Sequence, residues 1–152
     1  MQKITPFLWF DSQAEEAMNF YSSVFKESKV LSVTPGPDGT AMSVNFELLG
    51  QEFLGLNAGP TFKFNEAVSF FVSCDTQAEV DELWGKLTAD GGEEGRCGWL
   101  KDKYGLSWQI IPTALGELMS DPDPEKAGRV VQAMLKMNKI DVPTLQQAYD
   151  QT

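Results

Sequence analysis

A repeated phrase constrains the fold of this chain more than any other feature. The six residues DSQAEE begin at Asp11, and a near copy, DTQAEV, begins at Asp75. Each copy follows an apolar run and precedes apolar residues at helical spacing. Both contain S/T-x-x-E, the capping box in which a hydroxyl and a carboxylate satisfy free N–H groups at the start of a helix. The phrase therefore predicts the same strand-to-helix junction twice, with Ser12 and Thr76 as the caps.

Strand patterns follow each predicted helix. In the first half, "AMSVNFELLG" alternates apolar and polar residues as a half-buried strand does, and it lies between the apolar segments "SKVLSVT" and "EFLGLNA". A reversal at Gly50-Gln51 separates the last two of these strands. The second half runs from a strand over 68–74 through a helix over about 77–89 to strands in "CGWLKD" and "YGLSWQIIP".

The pattern predicts an α+β fold made of duplicated βαβββ modules, which form a curled mixed sheet around a cleft. The first module is expected over residues 1–58 and the second over 59–112. Residues 113–152 show helical spacing instead, with Asp123 and Pro124 as a helix start, and are predicted to form a C-terminal helical tail.

Charge and cysteine usage narrow the class of protein. The formal net charge is −10 at pH 7, and an anionic surface repels nucleic-acid phosphates and anionic lipids. We therefore expect no nucleic-acid and no membrane partner. No apolar run reaches the length of a membrane span, and the first residues show no signal-peptide pattern. Cys74 and Cys97 form no CxxC motif, so we expect reduced thiols and a cytoplasmic location.

The residue types that are missing limit the possible chemistry. The chain contains no histidine, which removes the usual general base near neutral pH and the commonest transition-metal ligand. It also contains neither GxGxxG nor GxxxxGK[ST], so no cradle for a nucleotide or for S-adenosylmethionine is recognisable. We therefore expect no cofactor. Acid–base work would fall to a carboxylate, a tyrosine or a lysine.

Strand alternation also predicts a polar sheet face, opposite the face that packs on the helices. An aromatic ring among amides and hydroxyls is more typical of a pocket wall than of an open surface. The residues predicted to share this face are Ser43, Asn45, Glu47, Ser69, Phe71, Ser73, Ser107 and Gln109.

Three long segments resemble a known family: "LWFDSQAEEAMNFYSSVF", "LNAGPTFKFNEAVSFFV" and "CGWLKDKYGLSWQIIPTALGELMSDPDPEKAGRVVQAML". They are similar to the PhnB-like branch of the vicinal oxygen chelate superfamily, which also contains glyoxalase I, bleomycin-resistance proteins and extradiol dioxygenases. The branch often carries the name 3-demethylubiquinone-9 3-methyltransferase domain. The resemblance spans about residues 3–138 and implies two βαβββ modules around a cleft, commonly in a homodimer with exchanged modules.

The resemblance further implies a divalent metal held by His, Glu or Gln at inward strand positions. The four positions fall near Thr5, near Gly55, near Ala67 and at Gln109. Only Gln109 could coordinate a metal, and a single amide oxygen holds a transition metal poorly. We therefore expect the usual metal site to be lost. The methyltransferase label is unsupported because the chain shows no cofactor motif for it.

Three functions remain open, and binding of a small molecule is the one we favour. A cleft that takes an apolar or aromatic ligand would need no catalysis, as in bleomycin-resistance relatives that act by sequestration. One alternative is a dimeric structural protein whose cleft is vestigial. The residues expected to line the cleft are Glu47, Asn57, Phe62, Phe64, Ser69, Phe71, Trp99, Trp108 and Gln109.

The other alternative is an enzyme of the same fold that uses a carboxylate as its general base. In that case Asn57 or Gln109 would steady an oxyanion. The carboxylates that could act as the base are Glu47, Glu52, Glu66 and Asp102.

Overall fold

The computed structural model, which describes residues 2–151, confirms the duplication. The chain divides into two units, one ending at Phe64 and the other beginning at Asn65. Elements of the first unit are β1 (Phe7–Phe10), α1 (Ala14–Val24), β2 (Ser28–Pro35), β3 (Ala41–Leu48) and β4 (Gln51–Asn57). The second unit contains β5 (Ser69–Cys74), α2 (Gln77–Thr88), β6 (Glu93–Glu94), β7 (Trp99–Lys101) and β8 (Ser107–Pro112). Its last helices are α3 (Thr113–Met119), α4 (Pro124–Met134) and α5 (Val142–Asp150).

The two sheets have the same topology. The strand order is β1-β4-β3-β2 in the first unit and β5-β8-β7-β6 in the second. In each sheet the first strand pairs in parallel with the last, and the other neighbours pair antiparallel. The predicted α+β class with mixed sheets is therefore confirmed. None of the helices within residues 2–151 has both the length and the hydrophobicity needed to cross a membrane.

The alternation predicted for β3 is confirmed along most of the strand. Val44, Phe46 and Leu48 are buried, and the Phe46 ring stacks on that of Phe53 with centroids 5.5 Å apart. Met42, which continues the same pattern, is 44% exposed, beside the hairpin that joins β2 to β3. At the start of β3 the buried face of this sheet therefore begins at Val44 and not at Met42.

The reversal between β3 and β4 occurs one residue earlier than predicted, at Leu49 and Gly50. Both residues have positive φ, 50° and 84°. Two successive positive φ values are the mark of a type I′ hairpin turn, whose twist matches that of the flanking strands. Glycine adopts this conformation freely, whereas leucine is strained there.

The first predicted capping box is wrong. Gln13, not Ser12, is the N-cap of α1, and it makes no side-chain cap bond. The N–H group of Ala14 donates instead to Oδ1 of Asn57, at 2.8 Å. Asn57 Nδ2 also donates to the carbonyl oxygen of Ala41 at 3.0 Å. The start of α1 is therefore tied to the end of β4 and the start of β3 by one side chain.

The second predicted capping box is confirmed in its main contact. Thr76 Oγ1 accepts from the N–H group of Glu79 at 3.2 Å. The Glu79 carboxylate reaches back to the N–H group of Asp75 at 2.8 Å. The Glu79 carboxylate thus accepts from the N–H group of Asp75, the residue before the N-cap, rather than from that of Thr76, the N-cap itself.

Within the second unit, the C-terminal helices pack around a buried apolar cluster. Gln77, the third residue of the repeated phrase, joins them to the start of α2 through both ends of its amide. Its Nε2 donates to the carbonyl oxygen of Ile140 at 3.0 Å, and its Oε1 accepts from the N–H group of Val142 at 2.7 Å. The cluster itself consists of Ile111, Leu115, Val130, Ile140 and Leu145.

Backbone bonds complete the attachment of these helices. The N–H groups of Cys97 and Gly98 donate to the carbonyl oxygens of Met137 and Asn138, each at 2.8 Å. A Cβ atom at Gly98 would lie 2.6 Å from Cδ1 of Ile111, and the φ there is +87°. Only glycine meets both requirements without displacing the cluster.

We expect Asn57→Ala to destabilise the protein by about 1–2 kcal/mol, because the substitution leaves one helix-start donor and one strand carbonyl without their partner. Ser12→Ala is the matched control and should change the free energy of unfolding by less than about 0.5 kcal/mol. Urea unfolding followed by circular dichroism measures both. A loss on Ser12→Ala as large as that on Asn57→Ala would restore the predicted capping box.

We also expect Gln77→Ala to loosen the C-terminal helices, because it removes two bonds to the backbone of the segment before α5. Amide hydrogen exchange over residues 136–150 should quicken relative to the wild-type protein. Gln13→Ala changes the equivalent residue of the first copy and should leave that exchange unaltered. Equal protection in both variants would show that the apolar cluster alone holds the helices.

Candidate functional site

The face of the second sheet that points away from α2 carries polar and aromatic side chains. Alternating residues of β5, β7 and β8 are buried on the other face, among them Val72, Leu100 and Ile110. Successive side chains of a strand point to opposite faces, so their neighbours share this one. Ser73 and Ile111 continue this face in the same register, and Ile111 packs in the apolar cluster of the C-terminal helices. We call the rest of it the polar face, and its members are Ser69, Phe71, Trp99, Lys101, Ser107 and Gln109.

Strand register arranges the polar face in two rows. Phe71 lies opposite Gln109, and Gln109 lies opposite Trp99; this is the aromatic row. The Phe71 side chain is 58% exposed. The polar row places Ser69 opposite Ser107, Ser107 opposite Lys101, and Lys101 opposite Glu93. Gln109 Nε2 donates to Ser69 Oγ at 3.0 Å, which links the rows.

Ser107 is the unusual residue of the polar row. It is only 1% exposed, and its Oγ atom has no hydrogen-bond partner among the described residues. Buried hydroxyls are nearly always bonded, because losing water without a replacement costs about 1–3 kcal/mol. Ser107 lines a cavity of about 340 Å³ together with Trp99, Lys101 and Glu66. A polar group of a ligand in this cavity could complete its bonding.

Charges surround the same cavity. Lys101 Nζ forms an ion pair with the carboxylate of Glu66. The hydrogen bond from Lys101 lowers the pKa of Glu66, and the same bond, followed by the charges of Glu66 and Glu93, raises the pKa of Lys101. A carboxylate with a lowered pKa is a weaker base. The ion pair with Lys101 and the lowered pKa therefore do not favour Glu66 as the catalytic base that the sequence suggested.

Asp102, another predicted base, has a structural role. It is 2% exposed, and its Oδ1 accepts from the N–H groups of Tyr104 and Leu106 at 2.9 and 3.1 Å. Its Oδ2 accepts from Nε1 of Trp108 at 2.9 Å. The carboxylate thus shapes the turn between β7 and β8.

The prediction that Trp108 lines a cleft is wrong. Trp108 is 2% exposed and lies on the opposite face of β8 from Gln109, where its ring contacts that of Phe70 at 5.5 Å between centroids. The period of two in β8 fixes this orientation. An aromatic residue on a core-facing position packs in the core.

Four other residues predicted for the cleft belong to the first unit. Both ends of the Asn57 amide bond the backbone at the start of α1 and β3, and Asn57 also lines an acidic cavity of the first unit. Phe62 packs edge-on against Trp9, and Phe64 packs edge-on against Phe10, with centroids 4.9 and 5.4 Å apart. These contacts hold the segment after β4 against β1.

Glu47 is the fourth of these residues, and it lies in the middle of a charged row. Strand register places it between Lys29 of β2 and Glu52 of β4, which was also weighed as a base. Like charges directly opposite each other repel, and Lys29 offsets part of that repulsion.

Burial makes Cys74 a poor nucleophile. Burial, and then the charge of Glu79, raise the pKa of its thiol to about 12. The thiol therefore stays protonated near neutral pH, and the thiolate is the reactive form.

The residues at the four metal positions that the resemblance implies are not the usual ligands of a divalent metal. Gly55 has no side chain, and a Cβ there would lie 2.9 Å from Cγ2 of Val44, on the core side of β4. Ala67 carries a methyl group, and Thr5 and Gln109 supply only a hydroxyl and an amide. Carboxylates, imidazoles and thiolates are the usual ligands of such metals. Within residues 2–151, no three Asp, Glu or Cys side chains converge to hold a metal ion.

Two further cavities lie outside the polar face. One, of about 550 Å³, is in the first unit and is lined by the acidic residues Asp11, Glu15, Glu16 and Asp38. The other, of about 910 Å³, is a groove between α4 and α5. Neither contains a buried polar atom without a partner among those that line it.

Sequence reasoning placed Ser107 on the polar face but did not select it as a site residue, and it missed Lys101 and Glu93. The two-residue strand β6 shows no period of two, and the three-residue strand β7 shows only one alternation, too little to identify it as a strand. The available signal was the alternation "WLK", which puts Trp99 and Lys101 on one face.

Comparisons with known proteins agree with this architecture. A family model described as 3-demethylubiquinone-9 3-methyltransferase matches residues 2–111. The structure of the PhnB protein from Bacillus cereus is 38% identical, with a TM-score of 0.68, and the match covers 73% of this chain and 99% of that one. Among curated proteins, none matches the chain.

Two more distant structures share the fold. Protein PA1353 from Pseudomonas aeruginosa is 18% identical with a TM-score of 0.58, over 74% of this chain and 98% of its own. The fosfomycin resistance protein FosX from Listeria monocytogenes, solved with Mn(II) and sulfate, is 14% identical with a TM-score of 0.51, over 71% and 90%. The family match over both βαβββ units, together with the 38% identity to the PhnB protein, places this chain in the 3-demethylubiquinone-9 3-methyltransferase family.

Proposed function

We propose that the chain is a small-molecule-binding protein whose polar face takes an aromatic ligand without a bound metal. The aromatic row carries this proposal. Phe71 and Trp99 flank the amide of Gln109 across three adjacent strands, and both rings retain exposed surface. Neighbouring strands are about 4.8 Å apart, so the two rings lie about 9–10 Å from each other across the row. A planar ligand over Gln109 would touch both.

The hydrogen-bonding groups of the face support a ligand that is not purely apolar. Gln109 donates through Nε2 to Ser69, while its Oε1 accepts no hydrogen bond from the described residues. A few polar groups among aromatic walls are the usual composition of a small-molecule site. The carbonyl oxygen of Gln109 would orient a donor group of the ligand.

Binding, rather than catalysis, is the function that these groups favour. Asp102 is fully engaged in its turn, and the pKa of Glu66 is lowered by Lys101. The groups that face the aromatic row are an amide, a hydroxyl and two rings. These groups can hold a ligand and position it, which is enough for sequestration.

The test uses neutral aromatic probes, because they report the aromatic row alone. Saturation-transfer NMR with 2-phenylethanol and indole should detect binding with dissociation constants near 1 mM, a value typical of small fragments. Trp99→Ala should weaken binding about five- to tenfold, since a stacked ring contributes about 1–1.5 kcal/mol. Phe71→Ala should weaken it by a similar factor.

Leu135→Ala removes an exposed apolar side chain on the C-terminal helices and is the matched control. Its affinity for both probes should equal that of the wild-type protein. Absence of binding, or binding that both ring variants leave unchanged, would refute the proposal.

A further inference from the structure

The polar row next to the aromatic row has an unbalanced charge. Lys101 is the one cation among the polar-face residues, and two carboxylates act on it: Glu66 by direct contact and Glu93 by its position opposite in the strand register. Two negative charges thus face one positive charge. Glu94, the neighbour of Glu93, also lines the cavity; its Oε1 accepts from Nε1 of Trp84 at 2.7 Å, and this neutral donor leaves its negative charge uncompensated.

The sign of this imbalance selects the charge of a ligand. An added ammonium would bring Lys101, Glu66 and Glu93 to two charges of each sign, whereas an added carboxylate would leave three negative charges around Lys101. Glu94 adds a further negative charge to the cavity in either case. The net charge of −10 on the whole chain acts in the same direction. The site therefore prefers a cation to an anion.

Ser107 supplies an independent indication that something polar binds here. Its hydroxyl is buried and without a partner, and it lines the same cavity as Glu66, Glu93 and Lys101. A hydroxyl oxygen accepts hydrogen bonds from an ammonium group, which has up to three N–H donors. An amine in the cavity would meet this unfilled acceptor and the excess negative charge together.

The spacing of the rows sets the distance between the ring and the amine. Equivalent positions in the two rows, such as Gln109 and Ser107, are two residues apart along one strand. Two residues of strand span about 6–7 Å. A basic nitrogen joined to an aromatic ring by a chain of two or three atoms covers that distance. Trp99, at the end of the aromatic row beside the cavity, adds cation–π attraction.

We infer that the ligand class of the polar face is the arylalkylamines: the ring lies over Phe71, Gln109 and Trp99, and the ammonium lies against Ser107 and Glu93. This inference rests on the proposed function, since it uses the aromatic row as the ring site. It adds a charge requirement that the proposed function does not contain.

Three probes of nearly equal size and different charge test the inference: 2-phenylethylamine, 2-phenylethanol and 3-phenylpropanoate. Calorimetric or NMR titration at pH 7 and low salt should give an amine affinity at least tenfold above that of the alcohol, with the carboxylate weakest. Raising the salt concentration to about 0.5 M should narrow the difference, because exposed charges are screened.

Two variants assign the selectivity to named groups. Glu93→Gln should reduce the preference for the amine about three- to tenfold while leaving the alcohol affinity unchanged. Ser107→Ala should also reduce that preference, and it should not destabilise the fold, because the hydroxyl it removes has no partner. Glu117→Gln makes the same charge change on an exposed position of α3 and should leave all three affinities unchanged.

The outcomes separate the two proposals. Equal affinity for amine and alcohol would overturn the charge inference and leave the aromatic site standing. Tightest binding of the carboxylate would also overturn it and would identify Lys101 as the group that selects the ligand. Failure of all three probes to bind would overturn both proposals.

Discussion

In each module a single helix, α1 or α2, covers only one of the two faces of a four-stranded sheet. The other features of the molecule depend on this arrangement. The parallel pairing of the first and last strands brings the helix back over one face only. That face is apolar at every second residue, as in Val44, Phe46 and Leu48. In the second sheet α2 leaves the opposite face uncovered, and only its end at Ile111 packs on the C-terminal helices, so the other residues of that face can be polar or aromatic. A surface suited to binding is therefore a consequence of how few helices each module contains.

The sequence predicted the duplication and the sheet faces because both follow from local periodicity. A period of two is visible in any strand of six to eight residues, which covers β3 and β8 but not β6 or β7. Contacts between residues that are far apart in the chain produce no periodic pattern in the sequence. Asn57 caps a helix that begins 43 residues earlier, and that helix already had a plausible local cap in Ser12.

The errors at the site have the same origin. Trp108 was weighed by its residue type, which suggested stacking on a ligand, although its position in the alternation pointed to the core. Asp102 looked like an available carboxylate because three donors from the turn and from β8 are not visible in a one-dimensional pattern. Ser107 shows the opposite case, since a serine in a strand attracts no notice until its burial and missing partner are known.

The family model ends at residue 111, so the C-terminal helices lie beyond the part of the chain that it matches. The side chain of Gln77, the N–H groups of Cys97 and Gly98, and Ile111 of the apolar cluster all come from elements of the second unit. The attachment of the C-terminal helices therefore depends on groups that α2 and the second sheet hold in place. Any change that opens the second sheet or unwinds the start of α2 would release these helices as well.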